Sequence, residues 1–413
     1  MMRLLRNRTL WLVGTQAFAA FSALVVNIFS TSALDPSSRG YLAFYLQLAF
    51  ICQFLALFGR DRAALVVSGI NGDFSVSRFL IGANRTGVLL VGVLGIVVTS
   101  AGVLGGEQPL FLLALSLWFA CAGIFGVVIR VRYVLEPERG LIAFAATSIV
   151  VQILLIVGSF CLMMFEVTDL NAWVGLYPSS ASVYVLVAAW AALRDPRPPA
   201  PRASVALISK EGWRLFPLSM LTLLLQKADR LLLPVLSTGA ELGRYVFVVS
   251  ILELASWPIV QWLDTKLASW RREYEARGLI RLRAVIIGSI GVSSLLASFA
   301  ALFSQLYIAF ALTEEYASAS LLIVPIAAAV IVRVGSRVFS GVLVAQKMRR
   351  LALVGEFLAL GAFIVGLVVL APSLGALGAA YASLGAAVIS LFFLSVGFCW
   401  RRRQIGGSSQ LSV

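Results

Sequence analysis

Long apolar runs broken by short polar segments dominate this chain. Twelve of the runs come close to or exceed the roughly 20 residues that a helix needs to cross the hydrocarbon core of a bilayer. In the first half they fall at 10–33, 41–58, 86–104, 110–129, 141–165 and 173–193. In the second half they fall at 215–236, 242–263, 284–312, 317–344, 351–371 and 374–400. The pattern predicts an all-α polytopic membrane protein with twelve transmembrane helices.

The placement of charge tests that count. Cytoplasmic loops collect Lys and Arg, so the basic residues should occupy alternate loops. They run from Arg3, Arg6 and Arg8 before the first span to Arg401, Arg402 and Arg403 after the last, and only Arg39 and Arg244 fall in the opposite set. Both termini are therefore expected in the cytoplasm, with the chain in the cytoplasmic (inner) membrane. The first apolar run follows a basic start, as a secretory signal would. It is longer than the usual apolar core of about 7–15 residues, so it is expected to stay as the first span.

Composition narrows the class further. Of 413 residues 60% are hydrophobic and only 13% are charged, against about 25% in a typical soluble domain. A water-soluble domain of this size cannot hide that much apolar side chain. The net charge is +14, from 33 Lys and Arg against 19 Asp and Glu. A nucleic-acid binder would carry its cations on polar faces, not between apolar runs, so no nucleic-acid partner is expected. There is no histidine. That excludes a His-containing zinc site and a Ser–His or Cys–His nucleophile pair. Cys52, Cys121, Cys161 and Cys399 are widely spaced in apolar stretches and form no CxxC pair, so neither a metal nor a cofactor is expected. The outer loops are short, the longest near 166–172, and no soluble domain is present, so an enzyme is not expected.

The layout is two lobes: 1–193, a Pro/Arg-rich cytoplasmic linker at 194–214, then 215–400, with a tail at 401–413. The linker core from Arg194 to Arg202 reads as stiff and extended because proline dominates it. Ser30, Thr31, Ser32 and Ala33 match Ser237, Thr238, Gly239 and Ala240, and Arg39-Gly40-Tyr41 resembles Gly243-Arg244-Tyr245. Val134 and Leu135 followed by Arg139 pair similarly with Leu343 and Val344 followed by Arg349. Corresponding helices are an even number of spans apart. The halves are therefore parallel, pseudo-symmetric six-helix repeats about an axis along the membrane normal.

Three stretches of the second half carry a resemblance. Gln226-Lys-Ala-Asp-Arg230, followed by Ser237-Thr-Gly-Ala-Glu-Leu-Gly-Arg-Tyr245, looks like the seventh helix of Wzx-type polysaccharide flippases. Ser340-Gly-Val-Leu-Val-Ala-Gln346 is similar to the end of their tenth helix. Ala371-Pro-Ser-Leu-Gly-Ala-Leu-Gly-Ala-Ala-Tyr381 resembles their turn into the twelfth. These flippases belong to the multidrug/oligosaccharidyl-lipid/polysaccharide exporter superfamily. The resemblance implies two lobes around a central cavity that opens to each side of the membrane in turn. The implied cargo is an undecaprenyl-diphosphate-linked oligosaccharide, moved to the outer leaflet for surface polysaccharide such as lipopolysaccharide or capsule. Polysaccharide polymerase and glycosyltransferases are then partners, beside membrane lipids. The alternatives are a small-molecule or drug exporter of the same superfamily and a major-facilitator-type transporter.

Ionisable residues inside spans are costly and mark functional sites. Six lie deep, all in the second half: Lys227, Asp229, Arg230, Glu253, Arg333 and Arg337. Lys227 and Arg230 are three apart, and Arg333 and Arg337 four apart, so each pair shares a helix face. Four cations against two acids leave a surplus of two positive charges. A lipid diphosphate would match that surplus through Arg forks and a Lys point charge. Lys227, Arg230, Arg333 and Arg337 are thus the candidate substrate-binding cations. Asp229 and Glu253 are candidates for ion coupling or for internal salt bridges, such as Asp229–Arg333 or Glu253–Lys227. Glu356 lies close enough to the inner end of its span to reach the interface. The first half offers only amides in its spans, Gln16, Asn27, Gln47, Gln53 and Gln152, and Asn27 is the best candidate for sugar contact. Gly87, Gly92, Gly95, Gly375, Gly378 and Gly385 read as small-residue packing faces. The 59–85 loop is expected partly in the inner interface, 266–283 on anionic lipid, and 406–413 disordered.

Overall fold

A helix satisfies its own backbone N–H and C=O groups, which is decisive where no water can do so. The computed structural model describes residues 2–66, 74–198, 202–277, 283–346 and 348–408. Pieces of the expected cytoplasmic loops and tail (67–73, 199–201, 278–282, 347 and 409–413) lie outside them. The helices are α1 (Met2–Ala33), α2 (Pro36–Leu57), α3 (Arg60–Val66), α4 (Val76–Gly105), α5 (Gln108–Leu135), α6 (Pro137–Met164) and α7 (Leu170–Arg194). They continue with α8 (Arg202–Leu236), α9 (Gly239–Arg277), α10 (Arg283–Ala311), α11 (Ser320–Ala345), α12 (Arg349–Leu374) and α13 (Ala376–Ser408). A 3₁₀ turn at Glu314–Ala319 precedes α11. No strand occurs among the described residues.

Eleven of these helices are long and apolar enough to cross a membrane. α3 is too short. The remaining span of the twelve, inside α8, fails on composition because Lys227, Asp229 and Arg230 sit together in it. The exception is therefore the helix with the densest intramembrane charge.

Several helices outrun the spans read from hydropathy. α4 starts ten residues early, α8 begins inside the expected linker, and α9 continues well past residue 263. Hydropathy reports where the apolar solvent ends, whereas a helix continues as long as its backbone bonds do. Of the linker, 195–198 is non-helical and the stretch from Arg202 onward is helix. α13 runs to Ser408, so disorder does not begin at 406. Gly92 and Gly385 have nothing within 4 Å of an added Cβ, so they are not packing contacts as expected. Gly87 lies against Ala56, and Gly95 against Trp118.

The chain divides into two compact units. The first comprises Met1–Leu34 and Tyr41–Met220; the second comprises Asp35–Gly40 and Leu221–Val413. In the first unit, Leu34, Leu42, Leu112, Trp173 and Val174 form a buried cluster. Ala63 and Ala64 of α3 pack with Phe79, Leu80 and Ile208, so the start of α8 belongs to this unit. Phe216 of α8 also stacks on Phe58, with ring centroids 4.2 Å apart. The segment after α7 is tied down. Arg197 donates to Asp195 through Nη2 (2.7 Å) and Nε (2.9 Å) and pairs with Glu136. Arg78 donates to the Ala192 carbonyl at 2.7 Å, and Ser75 N–H to that of Pro198 at 2.9 Å. Hydrogen bonds from Arg197 hold the Asp195 carboxyl well below the usual carboxylate range.

In the second unit Gly40 and Gly243, one from each of the two similar tripeptides, meet. A Cβ on Gly40 would overlap the Gly239 carbonyl, and one on Gly243 would overlap the Pro36 carbonyl. Backbone meets backbone there, which only glycine permits. The α12–α13 turn is fixed by a second device. Gly375 has φ 56°, and Glu241 Oε2 accepts from Ala376 N–H at 2.8 Å, capping α13. The other oxygen of Glu241 takes Arg244 at 2.6 Å. Glu241→Ala is expected to lower stability by about 2 kcal/mol and Glu241→Gln by about half that, since one acceptor oxygen remains. Thermal unfolding in detergent measures both. An unchanged melting temperature in Glu241→Ala would remove the cap from the account.

Candidate functional site

α8 carries Lys227 and Arg230 on one face, and α9 presents Glu253 to both. Arg230 Nη2 donates to Glu253 Oε2 at 2.6 Å, and Lys227 Nζ reaches the same oxygen at 3.4 Å. Arg333 of α11 brings Nη1 to 4.0 Å from Glu253 Oε1. Its Nη2 donates to Ser383 Oγ of α13 at 2.8 Å. Three cations from two helices thus surround one carboxylate. The spacing of three that placed Lys227 and Arg230 together is what lets one acceptor serve both.

Asp229 points elsewhere. It is buried, and its Oδ2 accepts from the Tyr245 hydroxyl at 2.8 Å while Oδ1 accepts from Arg230 N–H at 2.8 Å. The suggested Asp229–Arg333 pair is therefore not formed. Glu253–Lys227 is formed, with Arg230 and Arg333 added. Tyr245 and Glu253 are eight residues apart on α9, so they lie on one face two turns apart and receive successive charges of α8.

A cavity of about 140 Å³ opens beside this group. Gln226, Glu253, Arg333, Arg337, Glu356 and Ser383 contribute to its wall. Side-chain exposure separates the cations: Arg333 is 40% exposed and Arg230 only 12%. Arg333 faces open space, whereas Arg230 is taken up by its carboxylate. Asn27 lies in the first unit. It is buried in α1, and its backbone carbonyl accepts from the hydroxyls of Ser30 and Thr31.

Two members of the cavity wall escaped the sequence reading. Glu356 contributes to the wall, so counting it turns the surplus of two into a surplus of one. Its span is apolar all round, so no pattern marked this face as inward; the burial of Ala352, four residues earlier, shows it only in the structure. Ser383 interrupts an apolar run, but nothing in its spacing names Arg333 as its partner. Ala371 is fully buried and Gly378 lies on the Leu370 carbonyl, so the motif at the α12–α13 turn is accounted for by close packing.

Eleven helices long and apolar enough to span a bilayer define a helical, multi-pass membrane protein, and its fold is shared by solved transporters. The chain matches the inward-closed lipid II flippase MurJ with a TM-score of 0.71 at 12% identity, covering 94% of this chain and 87% of that one. It matches an inward-facing multidrug-resistance MATE transporter of the MOP superfamily with a TM-score of 0.65 at 15% identity, covering 96% of each chain. A MOP-superfamily transporter from Pyrococcus furiosus, described as having a binding pocket of reverse polarity, gives 0.51 at 15% identity over 95% of each chain. At these identities the likeness is one of fold. No protein-family model matches the chain, and no curated protein matches it in sequence.

Proposed function

We propose that this protein is an alternating-access flippase for an undecaprenyl-diphosphate-linked oligosaccharide. It would serve surface polysaccharide synthesis from the cytoplasmic membrane, with both termini cytoplasmic. Polymerase and glycosyltransferases would handle the cargo after and before it. The protein itself would make and break no covalent bond.

The observation that carries this reading is the gathering of Lys227, Arg230 and Arg333 on α8 and α11, next to a cavity that also holds Arg337. A cationic intramembrane site suits a diphosphate, whose oxygens accept from guanidinium forks. The fold likeness to a lipid II flippase supports the same substrate class, a sugar carried on a lipid diphosphate. Asn27 is the proposed sugar contact of the first unit. A small-molecule exporter is the second reading, favoured by the likeness to multidrug transporters. Cationic drugs would call for an acidic site, and here cations still exceed acids by one. The shared fold also speaks against a major-facilitator layout.

Purified protein in proteoliposomes tests the choice. With a fluorescent undecaprenyl-diphosphate disaccharide, the label is expected to become accessible at the opposite leaflet in protein-containing vesicles only. Efflux of a cationic dye without movement of the lipid would overturn the flippase reading in favour of the exporter.

A further inference from the structure

Glu253 is surrounded as a bound anion would be. Lys227 and Arg230 converge on its Oε2 and Arg333 approaches its Oε1. The fit is incomplete, however. Arg230 engages it through Nη2 alone, and the buried Arg230 Nε has no hydrogen-bond partner. A guanidinium fork that donates through one arm lacks the bidentate geometry that makes Arg–oxyanion pairs strong. Arg333 at 4.0 Å is outside hydrogen-bond reach of the carboxylate. The site therefore has more donor capacity than its resident carboxylate uses.

Resting on the flippase reading, we infer that Glu253 is a built-in stand-in for the phosphate of the substrate. The head group first meets Arg333, the most exposed cation of the cluster, and then takes Lys227 and Arg230 as the Glu253 carboxylate swings away. A diphosphate brings more acceptor oxygens than a carboxylate, enough to fill the second arm of Arg230 and to close the gap to Arg333. When the head group leaves, Glu253 returns. Lys227 and Arg230 are then never left without a counter-charge. Release becomes possible for the same reason: a site without Glu253 would hold its anion too well.

Binding of farnesyl diphosphate to the purified full-length protein in nanodiscs tests this, with inorganic pyrophosphate and farnesol as separate arms. Glu253→Gln is expected to bind farnesyl diphosphate about tenfold more tightly than wild type, about 1.4 kcal/mol, because the competitor has lost its charge. Its flipping rate is expected to fall, since release slows. Glu253→Asp keeps the charge on a shorter stem and is expected to bind between wild type and Glu253→Gln. Pyrophosphate alone is expected to show the same ranking more weakly, and farnesol none.

Equal or weaker binding by Glu253→Gln, with Arg333→Ala also weakened, would overturn the stand-in role and leave the flippase reading intact. Binding that ignores both Glu253→Gln and Arg333→Ala would overturn both. Should Glu253→Gln fail to fold, infrared difference spectra of Glu356→Gln protein give the answer. The carboxylate stretch is expected to shift when farnesyl diphosphate is added, and an unshifted band refutes the exchange.

Discussion

Replacing Arg333 by alanine is expected to abolish export of surface polysaccharide while leaving the amount of protein in the membrane unchanged. The two halves of this outcome have separate causes. Glu253 keeps Arg230 at 2.6 Å and Lys227 at 3.4 Å, so removing an arginine 4.0 Å away strands no carboxylate. The structural loss is one hydrogen bond to Ser383, about 1 kcal/mol. The functional loss is larger. Truncating one partner of a desolvated, hydrogen-bonded charge pair costs about 2–5 kcal/mol, or roughly 30- to 4,000-fold in affinity for the head group. Lys227→Ala is expected to follow the same pattern. Complementation of a strain lacking the transporter, read together with immunoblots of the membrane fraction, separates export from abundance. If both variants export normally, the cationic site has no part in transport.

Gly243→Val is expected to do the opposite, removing folded protein altogether. The new Cβ would lie on the Pro36 carbonyl, and Gly40 N is only 3.1 Å from the same point. Both obstacles are backbone, so no rotamer change relieves the clash. The start of α2 would have to withdraw from the start of α9, which breaks the packing around it. Overpacking a well-filled site costs about 1–3 kcal/mol, and a backbone obstacle places this case at or above the upper end. Gly40→Val meets the same obstacle from the other side, so the double variant is expected to be little worse than either single one. Gly92→Val is the control, because nothing lies within 4 Å of its Cβ. Recovery from detergent and the melting temperature measure the series. A Gly243→Val protein as stable as Gly92→Val would show that the contact carries no load.

Much of this architecture was legible in the chain, for identifiable reasons. Apolar length and basic alternation report solvent, and solvent decides where spans lie. They say nothing of helix ends, so the early start of α4 and the passage of α8 through the linker were missed. The resemblance between residues 39–41 and 243–245 was visible, but contact between them was not, because similarity carries no distance. The site divides in the same way. That Lys227 and Arg230 share a face follows from helical period. That Glu253 takes both, while Asp229 goes to Tyr245, depends on how α8 is rotated against α9, and packing fixes that rotation. Glu356 was judged by depth alone, and depth does not give direction.

The crowding of charge in α8 also bears on how the protein is made. Lys227, Asp229 and Arg230 near the middle of one segment oppose its insertion by about 3 kcal/mol each, and each neighbouring leucine offsets only about half a kcal/mol. This segment is poorly suited to leave the translocon for lipid alone. Glu253, which relieves two of the three charges, emerges from the ribosome only after 23 more residues. Insertion of α8 is therefore expected to be cooperative with that of α9, the ion pairs of the mature site completing membrane assembly as well.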